Sequence, residues 1–119
     1  MKALPIHEGA FTVLSVFDCQ PRDSERFAQE LAEFIESRTR FQPGFVSALV
    51  YLSEDARKVV ELFQWARAED WEAYRASEDG REVAQRHAGR SPVIHFLELV
   101  RSVGVPPPGE SGTYRVVTP

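Results

Sequence analysis

Residues 58–77, "KVVELFQWARAEDWEAYRAS", hold the change of period on which the fold turns. Up to Trp65 the residues alternate. Val59, Glu61, Phe63 and Trp65 fall on one side, and Val60, Leu62, Gln64 and Ala66 on the other. From Ala66 onward Trp71, Tyr74 and Ser77 are helix-spaced and the residues between them are charged, so strand gives way to helix just after Trp65. Glu61 interrupts the strand's apolar side, and a carboxylate there is costly to bury unless it is paired or protonated.

The neighbouring segments extend this reading. "QPGF" at 42–45 forms a turn, with Gly44 supplying a positive φ. "FVSALVYL" and "KVVELFQW", both alternating and apolar, flank "SEDAR" as a β-hairpin. Upstream, Phe11 to Asp18 is another alternating strand, apolar on most of both faces. Asp23 or Ser24 is placed to cap a helix whose stripe of Phe27, Ala28, Leu31, Ala32, Phe34 and Ile35 ends near Ser37. Downstream, a further helical turn or two is expected over 81–88, with Gly80 and Gly89 as breaks. Within "SPVIHFLELVRSVGVP", Ser91, Pro92, Gly104 and Pro106 punctuate a helix rather than a strand. "VPPPGESG" at 105–112 reads as a loop and "TYRVV" at 113–117 as a last strand; residues 1–10 read as a flexible arm.

The resulting order, β-α-β-β-α-β, predicts an α+β, ferredoxin-like domain spanning 1–119 with an antiparallel sheet. Helices cover one face of such a sheet. The strands here are apolar on both, so a second copy of the chain is expected over the other face.

Composition sets the outer limits. The chain has 119 residues, with 43% apolar and 27% charged, ordinary values for one globular domain. A net charge of −4 without any basic block argues against a nucleic-acid surface. A single cysteine, Cys19, excludes an internal disulfide framework and fits a cytoplasmic protein. No apolar run reaches the roughly 18 residues needed to span a membrane. "AFTVLSVF" at 10–17 alternates, as a strand does and a signal segment does not. His7, His87 and His95 form no metal-ligand spacing with Cys or carboxylates, and no P-loop, G-x-G-x-x-G or Ser/His/Asp set occurs.

With these residues in place, "PGFVSALVYLSEDARKVVELFQW" followed by "AEDWEAYRAS" resembles the antibiotic biosynthesis monooxygenase family of dimeric α/β-barrel proteins. The resemblance is carried by a strand after "PGF", a Ser-x-Asp turn, a strand ending in Gln-Trp and the helix that follows. It implies oxidation of a phenolic, polyketide-like aromatic by dioxygen in a homodimer, with no metal, flavin or haem. Gln64 and Trp65 match the family's Gln-Trp, and Ser53 and Asp55 its turn, where Ala56 replaces a glycine. Glu61 stands where the family has Asn, and Tyr51 where its quinone-forming members have His. Haem-degrading relatives place a His on the helix after the Trp, and this chain has none there.

The resemblance thus implies a site in which Glu61 accepts a proton, Trp65 and Trp71 form a flat wall beside Phe63, and Tyr51 and Arg86 steady a developing oxyanion. Tyr51 can join Glu61 only if an odd number of residues, such as 54–58, closes the hairpin. His87 is a spare acid/base group near that site. A cyclase or isomerase of the same barrel type, or a non-catalytic dimeric ligand-binding domain, would fit the same pattern. A salt bridge or an edge position for Glu61, and plain core packing for Trp65, are the structural alternatives.

Overall fold

The computed structural model describes residues 9–104. Strand β1 (Phe11–Asp18) leads to helix α1 (Pro21–Ser37) and a 3-10 turn at Thr39–Phe41. The hairpin β2 (Phe45–Leu52) and β3 (Lys58–Trp65) follows, then helices α2 (Ala68–Ala76) and α3 (Glu78–Arg86), and finally β4 (Val93–Leu97). The four strands form one antiparallel sheet in the order β2-β3-β1-β4. This is the expected ferredoxin-like α+β arrangement, with the second helical element divided in two.

Helix α1 starts earlier than its capping residues suggest. Pro21 takes the first helical position and Gln20 the N-cap, without a side-chain cap. Proline suits that position because its missing N–H would have no partner in the first turn. Phe27, Leu31 and Phe34 from this helix pack with Phe17, Val59 and Trp65 of the sheet into the core.

Helix α3 also corrects the expected break at Gly80, which lies within it. Ser77 caps the helix by accepting a hydrogen bond from the Gly80 N–H at 3.1 Å. A Cβ at Gly80 would lie 2.0 Å from the Tyr74 carbonyl oxygen. The glycine therefore permits a close backbone approach that lets α3 fold back on α2.

The stretch 91–104 departs most from expectation. Val93–Leu97 is strand β4, paired antiparallel to β1, and residues 98–104 carry no regular structure. Ser91 adopts φ 44°, a left-handed conformation rather than that of an N-cap. The apolar residues of "VIHFL" serve both faces of a short strand, and a short apolar run carries too few periods to separate the two readings. The loop expected at 105–112, the strand at 113–117 and residues 1–8 of the arm expected at 1–10 lie outside the described residues.

Cross-strand register fixes which side chains share a face. Glu61 lies opposite Ser15 of β1 and opposite Val50 of β2. Val13, Ser15, Phe17, Val59, Glu61, Phe63 and Trp65 therefore share the face beneath the helices. Leu14, Val16, Leu49, Tyr51, Val60 and Leu62 share the other, over which no helix packs among the described residues.

Candidate active site

A cavity of about 580 Å³ lies between the helix-covered face of the sheet and helices α2 and α3. Strand β1 contributes Val13, Ser15 and Phe17 to its wall, and β3 contributes Glu61, Phe63 and Trp65. Trp71, Tyr74 and Arg75 come from α2. Gly80, Arg81, Val83 and Ala84 come from α3, with His87 just beyond it and Ile94 from β4. The size suits a drug-sized ligand, and the lining is mostly apolar with a few polar groups, the usual composition of small-molecule sites.

Glu61 is 3% exposed. No described residue donates a hydrogen bond to its carboxyl or pairs with it, and burial alone pushes its pKa up to about 8. The group is therefore mostly neutral at pH 7 and ionises just above it. Neither a salt bridge nor a solvent-reaching edge position accounts for it.

The indole of Trp65 is fully buried, stacked on Phe63 at 6.2 Å and tilted against Tyr74 at 5.1 Å. Its Nε1 is buried without a partner among the described residues. Tyr74 is anchored in turn by a 2.9 Å hydrogen bond between its hydroxyl and Thr39 Oγ1. Burial, the larger effect, pushes the phenol up to about 12. Trp71 packs on Phe11 at 5.8 Å and edge-on to Phe96 at 5.1 Å, closing the β4 end of the wall.

Arg38, at the end of α1, pairs with both Asp79 and Glu82 of α3, and Gln42 Nε2 donates to Asp79 at 2.9 Å. This cluster ties the helix carrying Arg81 and Val83 to the rest of the core.

His87 lies 4.6 Å from the Phe17 ring. Burial, with a smaller contribution from the Arg90 guanidinium, lowers its pKa to about 4, so the ring is neutral. Its Nε2 is buried without a partner among the described residues.

Of the site residues expected from sequence, the structure brings Glu61, Trp65, Phe63 and Trp71 to one cavity. It does not bring Tyr51 there. The Ser53 N–H donates to the Lys58 carbonyl, which leaves 54–57 as the loop, an even number of residues. Tyr51 then pairs with Val60 rather than Glu61 and stands 57% exposed on the helix-free face. Arg86 is likewise outside the lining; it lies 5.2 Å over the Phe34 ring and 3.8 Å from Glu82. Arg81 is among the lining residues the sequence reading missed, as are Ser15 and Val83. A signal for Arg81 existed: Gly80, Val83, Ala84 and His87 are spaced i, i+3, i+4 and i+7, which marks one face of α3 with Arg81 at its border.

Known proteins share this fold. The antibiotic biosynthesis monooxygenase family matches residues 10–86, and the chain belongs to that family. A tetracenomycin-F1 monooxygenase from Streptomyces glaucescens is 36% identical over 66 residues, 56% of this chain and 59% of that protein. The match thus spans somewhat under two thirds of the relative's length. Among solved structures, Rv0793 from Mycobacterium tuberculosis aligns with a TM-score of 0.67 at 17% identity, covering 80% of this chain and 99% of that one. A point mutant of SnoaB, a cofactor-independent oxygenase from Streptomyces nogalater, aligns with a TM-score of 0.61 at 16% identity, covering 79% and 96%. These likenesses show the shared fold.

Among the described residues no group of three or more His, Cys, Asp or Glu side chains is placed to hold a metal, and no helix is long and apolar enough to cross a membrane.

Proposed function

We propose that the chain is a cofactor-independent monooxygenase that oxidises a phenolic, polyketide-like aromatic with dioxygen, using Glu61 as the proton acceptor. The observation that carries this reading is the carboxyl of Glu61, 3% exposed and unpaired, in the wall of an aromatic-lined cavity. A carboxyl whose pKa is raised to about 8 is matched to proton transfer from a weakly acidic phenol or activated methylene near neutral pH. Family membership and the match to the tetracenomycin-F1 monooxygenase support oxygen chemistry.

The reaction balances without an external reductant. Glu61, as carboxylate, takes a proton from a hydroxyanthrone-like substrate. The delocalised anion supplies the electrons to O2, forming a carbon–oxygen bond, and protonation gives a hydroperoxide. Loss of the remaining hydrogen on that carbon as a proton, with cleavage of the O–O bond, releases water and leaves the ring carbonyl. The aromatic wall of Phe63, Trp65 and Trp71 would hold the planar substrate and exclude water from the anion.

A homodimer belongs to the same reading. Leu49, Leu62 and Leu14 lie side by side on the helix-free face, beside Tyr51, Val60 and Val16. A second copy covering these rows would bury them, and Leu62→Arg at their centre should yield monomers in size-exclusion chromatography with light scattering.

Oxygen uptake with 1,8-dihydroxyanthrone, compared between wild type and Glu61→Gln, tests the chemistry. Uptake by wild type that falls about 100-fold or more in the variant is the expected result. Turnover without uptake would make the protein a proton-transfer enzyme instead, and absence of binding would leave it a non-catalytic domain.

A further inference from the structure

Two polar residues interrupt the apolar strand floor of the cavity, and the register brings them together. Ser15 of β1, between Val13 and Phe17 on its face, lies directly opposite Glu61 of β3. Side chains opposed in this way have their Cβ atoms about 5 Å apart. The other polar pairs opposed across these two strands are joined, Thr12 with Gln64 by a 3.3 Å hydrogen bond and Asp18 with Lys58 by an ion pair. Ser15 and Glu61 are not joined, and the Ser15 hydroxyl has no partner among the described residues.

We propose that Ser15 is a catalytic residue, its hydroxyl donating a hydrogen bond to the substrate oxygen that gains charge as Glu61 removes the proton. The inference rests on the cavity being the substrate site proposed above and deepens that reading.

The chemistry calls for such a donor. As the proton passes from a substrate carbon to the Glu61 carboxylate, the electron pair of the broken C–H bond is displaced onto a conjugated ring oxygen. An apolar cavity leaves that oxygen unsolvated unless a donor is already aimed at it. Tyr51 and Arg86, expected from the sequence to serve it, are not in the lining. Among the donors that are, the Tyr74 hydroxyl is engaged with Thr39, and the Trp65 indole is 0% exposed beneath the rings of Phe45, Phe63 and Tyr74. Arg75 and Arg81 belong to the exposed helical side of the wall. Ser15 lies on the floor beside Glu61 and keeps 8% of its surface open. Its hydroxyl can rotate to meet an arriving acceptor. The substrate class narrows accordingly: the position that loses the proton and the oxygen that takes up the charge belong to one conjugated ring system, so that both reach neighbouring side chains at once.

The test reads proton removal without oxygen. Under argon in deuterated buffer at pH 8, where about half of Glu61 is ionised, exchange of the C10 hydrogens of 1,8-dihydroxyanthrone is followed by NMR. Wild type should accelerate the exchange. Ser15→Ala should lower kcat for it about 10- to 100-fold with KM within about threefold, the signature of a contact made in the transition state. Ser15→Thr keeps the hydroxyl on a strand-favouring side chain and should stay within about threefold of wild type. Because the hydroxyl has no partner to lose, the urea midpoint of Ser15→Ala should equal or exceed that of wild type, which separates lost catalysis from lost folding. No exchange in wild type, Ser15→Ala as fast as wild type, or Ser15→Thr as slow as Ser15→Ala would each overturn the proposal. Oxygen uptake by the same proteins keeps the two readings apart. Exchange that depends on Ser15 in a protein that takes up no oxygen sinks the oxygenase reading and leaves this one standing, whereas uptake indifferent to Ser15 does the reverse.

Discussion

Ser15 of β1 lies directly across from Glu61 of β3, and both are buried on the helix-covered face. No hydrogen bond joins them among the described residues. The carboxyl therefore has a hydroxyl neighbour across the ladder but nothing that stabilises its charge, and the energetic consequences can be measured.

The first consequence is a stability profile with two opposing slopes. Glu61 titrates near 8 folded and near 4.5 unfolded, so the folded state holds the extra proton between those values. Its contribution falls as pH rises from about 4.5 to about 8, at about 1.4 kcal/mol per pH unit at most. His87 is near 4 folded and 6.5 unfolded, so the unfolded state holds the extra proton, and this contribution rises with pH across that window. The two roughly cancel below pH 6.5, and above it Glu61 alone lowers stability. Urea unfolding across pH should show a drop between pH 6.5 and 8. Glu61→Gln should abolish that drop and expose a rising limb below it; His87→Leu should expose the falling limb.

Gly80→Ala should destabilise the fold despite alanine's better helix propensity. The propensity gain is about 1 kcal/mol. A Cβ 2.0 Å from the Tyr74 carbonyl oxygen meets backbone that cannot swing aside, which costs about 3 kcal/mol or more. Thermal unfolding should show a net loss, and a neutral or stabilised variant would refute the close approach.

Ala56→Gly should do the reverse. Ala56 sits at φ 60° in the β2–β3 turn, where a Cβ is crowded and glycine is not. Glycine's greater freedom in the unfolded chain offsets part of the gain, leaving about 0.5–1 kcal/mol of stabilisation in denaturant titration.

Thr39→Val keeps the shape of the side chain and removes only its hydroxyl. Tyr74 then loses the partner 2.9 Å away that fixes its ring beneath Trp65. A cost of about 1–3 kcal/mol is expected, together with a change in tryptophan fluorescence as the aromatic wall loosens.

Sequence legibility follows the number of periods each segment offers. β1, the hairpin and α1 run long enough for alternation or helical spacing to be unambiguous, and the element order that defines the fold comes from them. Residues 93–97 supply only five positions, all apolar but His95, beside proline and glycine that imitate helix caps. The segment therefore reads as a helix and folds as β4. The site is legible in the same measure: Glu61 and Trp65 share a face by parity alone, so their meeting follows from β3. Placing Tyr51 requires the loop register, which the loop sequence leaves open by one residue. Arg81 requires knowing that the 80–87 face of α3 turns toward the cavity, a tertiary choice that the helical spacing marks but does not decide.

The turn between Ser53 and Lys58 consequently works as a selector. A slip of β2 by one residue against β3 would turn β2 over, bringing Tyr51 and Leu49 in beneath the helices and expelling Val50 and Ala48. Members of this architecture could thus exchange an aliphatic wall beside Glu61 for a hydroxyl through the hairpin register alone, without altering any residue of the strand itself.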